Sequence, residues 1–335
     1  MKFSKGLLSA GLRAARWSAL ALSLAVCGQA PATAADFPAK PVTIVVPFSA
    51  GGFTDLLTRQ LGNELGEKWG VPVVVENRVG AGGNIGAAYV ARAKPDGYTL
   101  LVANTASNAI NQYLYDSIGF DAEKDFVSIA LLAKTPNVVV VHPGSGWKSV
   151  ADMVAAARAR AEGLNYGSAG NGTTSHLTGA LFAKAVGVSL EHVPFKGSSE
   201  VMTALQAQTV QLAFDNIVAW APLITSGRVR ALAVTGSKRS SLLPDAPTLA
   251  EAGYPGVESY SWFGLVAPAN TPQATVERIN RDANDIIARP AFAQKLAGAE
   301  ITAESPQAFD RFMADERAKW RALIQEMGLK PRGAK

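Results

Sequence analysis

The feature that most constrains this chain is an alternation. From Pro41 onward, short β-branched runs take turns with Ala/Leu-rich stretches at helical spacing, the pattern of a parallel α/β architecture. Thr43-Ile44-Val45-Val46 predicts a buried strand. Leu57, Leu61, Leu65 and Trp69 then recur every four residues on one helical face until Gly70 stops the helix. Val73 to Val75, a glycine-rich turn (Gly80, Gly82, Gly83, Gly86), a helix around 87–93, a Pro95-Asp96-Gly97 turn and a strand over 99–103 complete βαβαβ, half of a doubly wound sheet.

A comparable series starts after Pro136. Strands are expected at 138–141, 164–166, 188–193, 210–214 and 231–235, with helices near 150–161, from Thr173, at 199–207 and near 218–225. The tail returns with a strand over 262–266 and helices over 272–287 and 306–327, each with Pro in its first turn behind Thr271 or Ser305 as cap. Their apolar faces, Val276/Ile279/Ile286 and Phe309/Phe312/Trp320/Leu323, require a partner surface. If the tail packs back on the first lobe, two crossovers join the lobes and form a hinge.

Composition matters at one point. The 335 residues carry 32 Lys+Arg against 27 Asp+Glu, a formal +5, which alone would invite an anionic polymer or membrane as partner. The first residues instead read as a secretory signal: Lys2, Lys5, Arg13 and Arg16, an apolar run from about Trp17 to Val26, and small residues at Ala32-Thr33-Ala34. With residues 1–35 set aside, 28 basic residues face 27 acidic ones, a net of +1. The apolar run of about ten residues is too short to span a bilayer core of ~30 Å. Cys27 also lies in the signal, where Val26 makes a poor lipoprotein box. The mature chain then has no thiol for a disulfide, a nucleophile or a zinc-thiolate site.

Three strand-to-helix junctions carry the functional signal: Pro47 to Asp55, Asn104 to Asn108, and Gly167 to His176. Each combines glycine, Ser/Thr hydroxyls and the free N–H groups of a helix start, the components of an anion site. In doubly wound sheets such loops lie where ligands bind, at the carboxyl ends of the strands. Phosphate signatures fail, because Ile85 stands where G-x-G-x-x-G needs its last glycine and Gly146-Trp147-Lys148-Ser149 lacks the Gly-Lys pair. A carboxylate fits better. His142, His176 and His192 have neither metal-ligand spacing nor clustered acids. Asp55 reads as a first-turn residue that holds its own loop. Asp215 could orient loop N–H groups, bind an amine or cap the next helix.

At these junctions the sequence resembles the Bug (Bordetella uptake gene) family, the periplasmic solute-binding components of tripartite tricarboxylate transporters. The resemblance rests on VPFSAGGFTDLLTR (46–59), ENRVGAGGNIGAAYVARAKPDGYTLL (76–101), YGSAGNGTTSHLTGALF (166–182), HVPFKG (192–197), QLAFDN (211–216), VRALAVTGSKRSSLLPDAPTLAEAGYPG (229–256) and WFGLVAP (262–268). It covers essentially the whole mature chain.

The resemblance implies a type II periplasmic-binding-protein fold: two doubly wound α/β lobes around a ligand cleft with a hinge, divided as lobe 1 over 36–136, lobe 2 over 137–257 and a return to lobe 1 over 258–335. It implies ligand contacts from Gly51, Gly52, Phe53, Thr54, Asp55 and Thr105, and from Ser168, Gly170, Asn171, Thr173, Thr174 and His176, with Asp215 at the edge. The implied role is capture of a small organic acid (a di- or tricarboxylate, an amino acid or an aromatic acid) by a periplasmic monomer and its delivery to membrane permease subunits. No cofactor, metal or nucleic acid is implied. Phe53 and Phe195 depart from the family's usual small or polar residue and Tyr, and Phe53 could favour a flatter or more apolar acid. Two other readings are a sensor that presents the bound acid to a signalling partner, and a serine hydrolase built on Ser168 and His176. The hydrolase reading suffers because Tyr166 breaks the G-x-S-x-G elbow and no acid is evident to orient the imidazole.

Overall fold

The computed structural model describes residues 37–329; the leader with Cys27 lies outside them. Strand β1 (Val42–Val46) leads into helix α1 (Phe53–Trp69), followed by β2 (Val73–Asn77), α2 (Asn84–Ala91) and β3 (Thr99–Asn104). β1 pairs in parallel with β2 on one side and β3 on the other. The four-residue repeat of α1 does what its spacing requires: Leu57, Leu61, Leu65 and Trp69 are all buried. Gly70 ends the helix in the left-handed region at φ 69°, donating its N–H to the Gly66 carbonyl.

The second series comprises β4 (Phe126–Val141), α3 (Val150–Arg158), β5 (Leu164–Ser168), α4 (Thr174–Val186), β6 (Leu190–Pro194), α5 (Ser198–Gln206), β7 (Leu212–Asn216), α6 (Ile217–Thr225) and β8 (Arg230–Val234). The tail adds β9 (Tyr260–Pro268), α7 (Gln273–Ile287), α8 (Pro290–Lys295), β10 (Glu300–Ile301) and α9 (Pro306–Glu326). Among the described residues the strands run in the order β2-β1-β3-β9-β4-β7-β5-β6, with β8 and β10 also on β4.

One strand ties the two series together. β4 is 16 residues long; its first part pairs antiparallel with β9, and Asn137–Val141 pairs with β7 and β8. The sequence predicts only its end. The stretch before Pro136 is rich in Ala and Leu and buried on both faces, so it lacks the alternation that marks a half-exposed strand. At the change of partner, Asn137 N–H donates to Thr235 Oγ1 at 2.9 Å and Thr235 N–H donates back to the Asn137 carbonyl at 2.9 Å. Asn137 Nδ2 donates to Thr178 Oγ1, which pairs with Ser259 Oγ at 2.7 Å. Hydroxyls thus take the Asn137 N–H and Nδ2 where β4 changes neighbours, while the buried Asn137 Oδ1 has no partner among the described residues.

Two hydrophobic cores flank this strand. One joins Val45, Leu101 and Ile110 to Trp262, Phe309 and Trp320; the other gathers Val139, Met153, Tyr166, Phe182, Phe214 and Leu232. The tail helices bury the predicted faces: Val276, Ile279, Ile286, Phe309 and Trp320 are covered, while Phe312 and Leu323 are partly buried. α7 meets α1 through Trp69 Nε1, which donates to Asp282 Oδ2 at 2.7 Å. Ser305 caps α9 as expected, accepting from Ala308 N–H. Thr271 does not cap α7. Its hydroxyl donates to the Pro268 carbonyl, and Pro272 lies just outside a helix that begins at Gln273.

Candidate ligand-binding site

The three predicted junctions converge. Gly52, Phe53 and Thr54 at the start of α1, Asn104, Thr105 and Ala106 after β3, and Thr173, Thr174 and Ser175 at the start of α4 line one small cavity of about 30 Å³. That is room for one or two water-sized groups. Two helix N-termini face it, and the first N–H groups of each have no intrahelical partner. The remaining walls include Phe48, Ser198, Asp215, Asn216, Ser261 and Phe263, so no lysine or arginine reaches this cavity.

The first loop is held by charge. Gly51, at φ 84°, donates its N–H to Asp55 Oδ2 at 3.0 Å; Asn77 Nδ2 and Arg59 Nε also donate to this carboxylate. Burial would raise the Asp55 carboxyl, but the Arg59 guanidinium, the Gly51 N–H and Asn77 hold it below its ordinary value. Asp55 therefore braces its loop from behind, and neither it nor Gly51 lines the cavity. Phe53, 1 % exposed, packs edge-on against Phe263 at 4.9 Å between ring centroids. It is a wall of the cavity and not a free aromatic tip.

The loop after β5 is held by hydroxyls and an imidazole. Ser168 Oγ accepts from Gly170 N–H at 3.1 Å and lies 2.5 Å from His192 Nε2. Ser175 Oγ accepts from Ala169 N–H and pairs with Thr173 Oγ1 at 2.8 Å. Thr173 caps α4 by accepting from His176 N–H. Thr174 Oγ1 bonds Ser261 Oγ on β9, and Thr105 Oγ1 accepts from Trp262 N–H at 3.0 Å. Both hydroxyls are thus fixed by the same strand.

Asp215 does not cap α6, whose N-cap is Asn216. Its carboxyl accepts from Trp220 Nε1 at 2.9 Å and from Asn216 N–H at 2.8 Å. Complete burial pushes it upward, against those donors and Ser198.

A second cavity of about 630 Å³ adjoins the first, sharing Phe48 and Ala169 as walls. Gly170, Asn171 and His176 line this one, so the predicted set divides between two chambers and Ser168 lines neither. The sequence reading missed its other wall. The Gly80–Gly83 turn faces the Gly170–Gly172 loop so closely that a Cβ on Gly82 would stand 2.0 Å from the Asn171 carbonyl oxygen. Tyr115 Oη donates to that same oxygen at 3.1 Å; burial pushes its phenol up to about 12, so it stays a donor. Its only sequence signal was the run of glycines opposite.

The family model of the tripartite tricarboxylate transporter family receptors matches residues 57–329. The chain belongs to this family. Among relatives of this receptor, a UPF0065 protein in the tcbD-tcbE intergenic region of Pseudomonas sp. (strain P51) is 38% identical over 296 residues, 88% of each chain. Protein BugT of Bordetella pertussis is 34% identical over 304 residues, 90% of this chain and 93% of BugT. Three solved structures share its fold. R. palustris Rpa4515 with adipate has a TM-score of 0.86 at 38% identity, covering 89% of the receptor and 100% of that chain. The periplasmic binding protein BugD has 0.85 at 34%, covering 88% and 100%. MatC from Rhodopseudomonas palustris with bound malate has 0.82 at 30%, covering 86% and 100%.

The fold is thus the two-lobed periplasmic-binding-protein fold expected from the sequence, and the receptor is a solute-binding protein, not an enzyme. The hydrolase pairing fails on geometry as well. Ser168 Oγ meets His192, and His176 Nδ1 instead accepts from Gly172 N–H at 3.1 Å. Among the described residues no helix is long and apolar enough to cross a membrane, and no group of three His, Cys, Asp or Glu could hold a metal.

Proposed function

We propose that this receptor captures an organic carboxylate in the periplasm and delivers it to the permease subunits of a tripartite tricarboxylate transporter. The observation that carries the reading is the meeting of two helix N-termini and three loops of hydroxyls around one small cavity, a site for an anion that needs no surface cation. In this reading the carboxylate takes the N–H groups at the starts of α1 and α4 and the hydroxyls of Thr54, Thr105 and Thr174. The adipate and malate in the two solved relatives support that ligand class.

The lobes are 36–136 with 258–335, and 137–257, joined where β4 changes partners beside β9. The protein works as a monomer, and residues 1–35 are the export signal. Charge-assisted hydrogen bonds of ~1.5–3 kcal/mol each, less the cost of closure, reach the ~8 kcal/mol of a micromolar complex. Calorimetry against malate, adipate, citrate and acidic amino acids tests the ligand class, and an absence of binding to every acid would refute it. Co-purification of permease subunits from membranes in the presence of the bound acid tests delivery.

A further inference from the structure

The inner cavity accounts for a carboxylate group and little more. Beside it the larger chamber of about 630 Å³ is far bigger than a four-carbon acid requires and falls within the range of pockets that enclose drug-sized ligands. Its walls are not those of a solvent channel. Phe48, Leu114, Phe195 and Leu329 come from four separate segments and present apolar surface to it, and three of them are only half-buried. Isolated half-exposed apolar side chains are ordinary, but three gathered with the buried Leu114 around one concave space, next to an anion site, form an apolar wall suited to a ligand body.

Polar side chains also line it: Tyr115, Asn171, His176 and Lys196. Among the described residues the Lys196 ammonium has no acidic partner. Phe48 and Ala169 line both chambers, so the outer one adjoins the anion site at these two residues.

Resting on the carboxylate-capture reading, we infer that the natural ligand is an acid with a ring-sized apolar body, its carboxylate at the starts of α1 and α4 and its body against Phe48, Leu114, Phe195 and Leu329. The outer chamber is then the part of the site that sets selectivity within the class of organic acids. A short dicarboxylate would fill the inner cavity and leave the apolar wall wet.

The test pairs acids that differ only by a ring. Affinities are measured by calorimetry for acetate against phenylacetate and propionate against 3-phenylpropionate, with malate and adipate alongside, on the wild type, Phe195→Ser and Leu329→Ser. Each variant is first checked for a wild-type-like cooperative melt. The expected result is that at least one ring acid binds thirtyfold or more tightly than its ringless counterpart, and that this ratio falls at least fivefold in one or both variants.

Malate or adipate binding with a ring preference below threefold would overturn the inference and leave the proposed function standing. A ring preference undiminished in both variants would overturn the assignment of the body to this chamber. No binding by any acid would overturn the proposed function, and this inference with it.

Discussion

The loops that open α1 and α4 present the same thing to the same cavity, a helix N-terminus with hydroxyls, yet they are held in place by different chemistry. The first is braced by a buried carboxylate that gathers the Gly51 N–H, Asn77 and Arg59. The second is braced by hydroxyls and an imidazole, Ser168 with His192, Thr173 with Ser175, and Thr174 with Ser261. It is also touched from across the outer chamber by Tyr115 and Gly82. The difference teaches how an anion site can be built without a cation at hand: the Asp55–Arg59 brace lies behind its loop, and the cavity walls carry hydroxyls, helix-start N–H groups and no lysine or arginine.

The largest expected effect comes from the outside contact on the second loop. Gly82→Ala places a Cβ 2.0 Å from a backbone oxygen at φ 62°, and a backbone oxygen cannot swing aside as a side-chain tip can. The loops must separate, and affinity for the bound acid should fall at least about 100-fold, ~2.7 kcal/mol. Gly187→Ala is the control, with nearly the same dihedral (φ 67°) and nothing within 4 Å. It should cost about 1 kcal/mol of stability from left-handed backbone strain alone and leave affinity unchanged. Equal affinities for the two variants would show that the second loop needs no hold from this side.

The carboxylate brace predicts a pH dependence of stability in the acid range. The Asp55 carboxyl lies below its ordinary value when folded, so its stabilisation is complete above the unfolded value of about 4 and disappears as pH falls through the lower folded value. Asp55→Asn should therefore lower stability by about 2 kcal/mol at pH 7, seen in urea melts, with the deficit against wild type shrinking below about pH 4. Arg59 is half-exposed, its side chain 47% accessible, which keeps the expected cost at the modest end. A deficit that persists unchanged into acid would mean that the loop is held by shape and not by the ion pair.

These braces mark the boundary of what the sequence could show. The loops themselves were legible, because glycines, hydroxyls and helix starts announce themselves locally, and so was Asp55, whose partners lie within a few residues or on the neighbouring strand. The second brace was not. Ser168 finds His192 24 positions away and Thr174 finds Ser261 87 positions away, pairings that only the folded topology creates. The first part of β4 stayed hidden for a related reason: a doubly buried Ala/Leu run becomes a strand through its distant partner β9, not through its own pattern. The wall that the outer chamber gains from the approach of Gly82 to Asn171 is likewise encoded by no local motif.

A smaller effect separates the two hydroxyls. Thr54→Ala and Thr174→Ala should each weaken acid binding by about tenfold, ~1.4 kcal/mol, as measured by calorimetry. Only Thr174→Ala should also lower the melting temperature, because it strands the buried Ser261 hydroxyl. A stability loss in both, or in neither, would erase the distinction between a loop held by hydroxyls and one held by charge.

The smallest effect is expected at the surface, and its smallness is the point. The inner cavity has no lysine or arginine among its walls, so its attraction for acids must come from N–H groups and hydroxyls within a few ångströms. Lys94 and Lys295 are exposed and line neither chamber; at physiological ionic strength, charges farther than about 8 Å are largely screened. Lys94→Gln with Lys295→Gln should change the dissociation constant by less than about twofold in calorimetry at that salt, because a screened pair of charges contributes well under 1 kcal/mol. A tenfold loss that salt abolishes would place part of the attraction in the long-range field, and the neutral construction shared by both loops would then be only part of the reason that this cavity takes an anion.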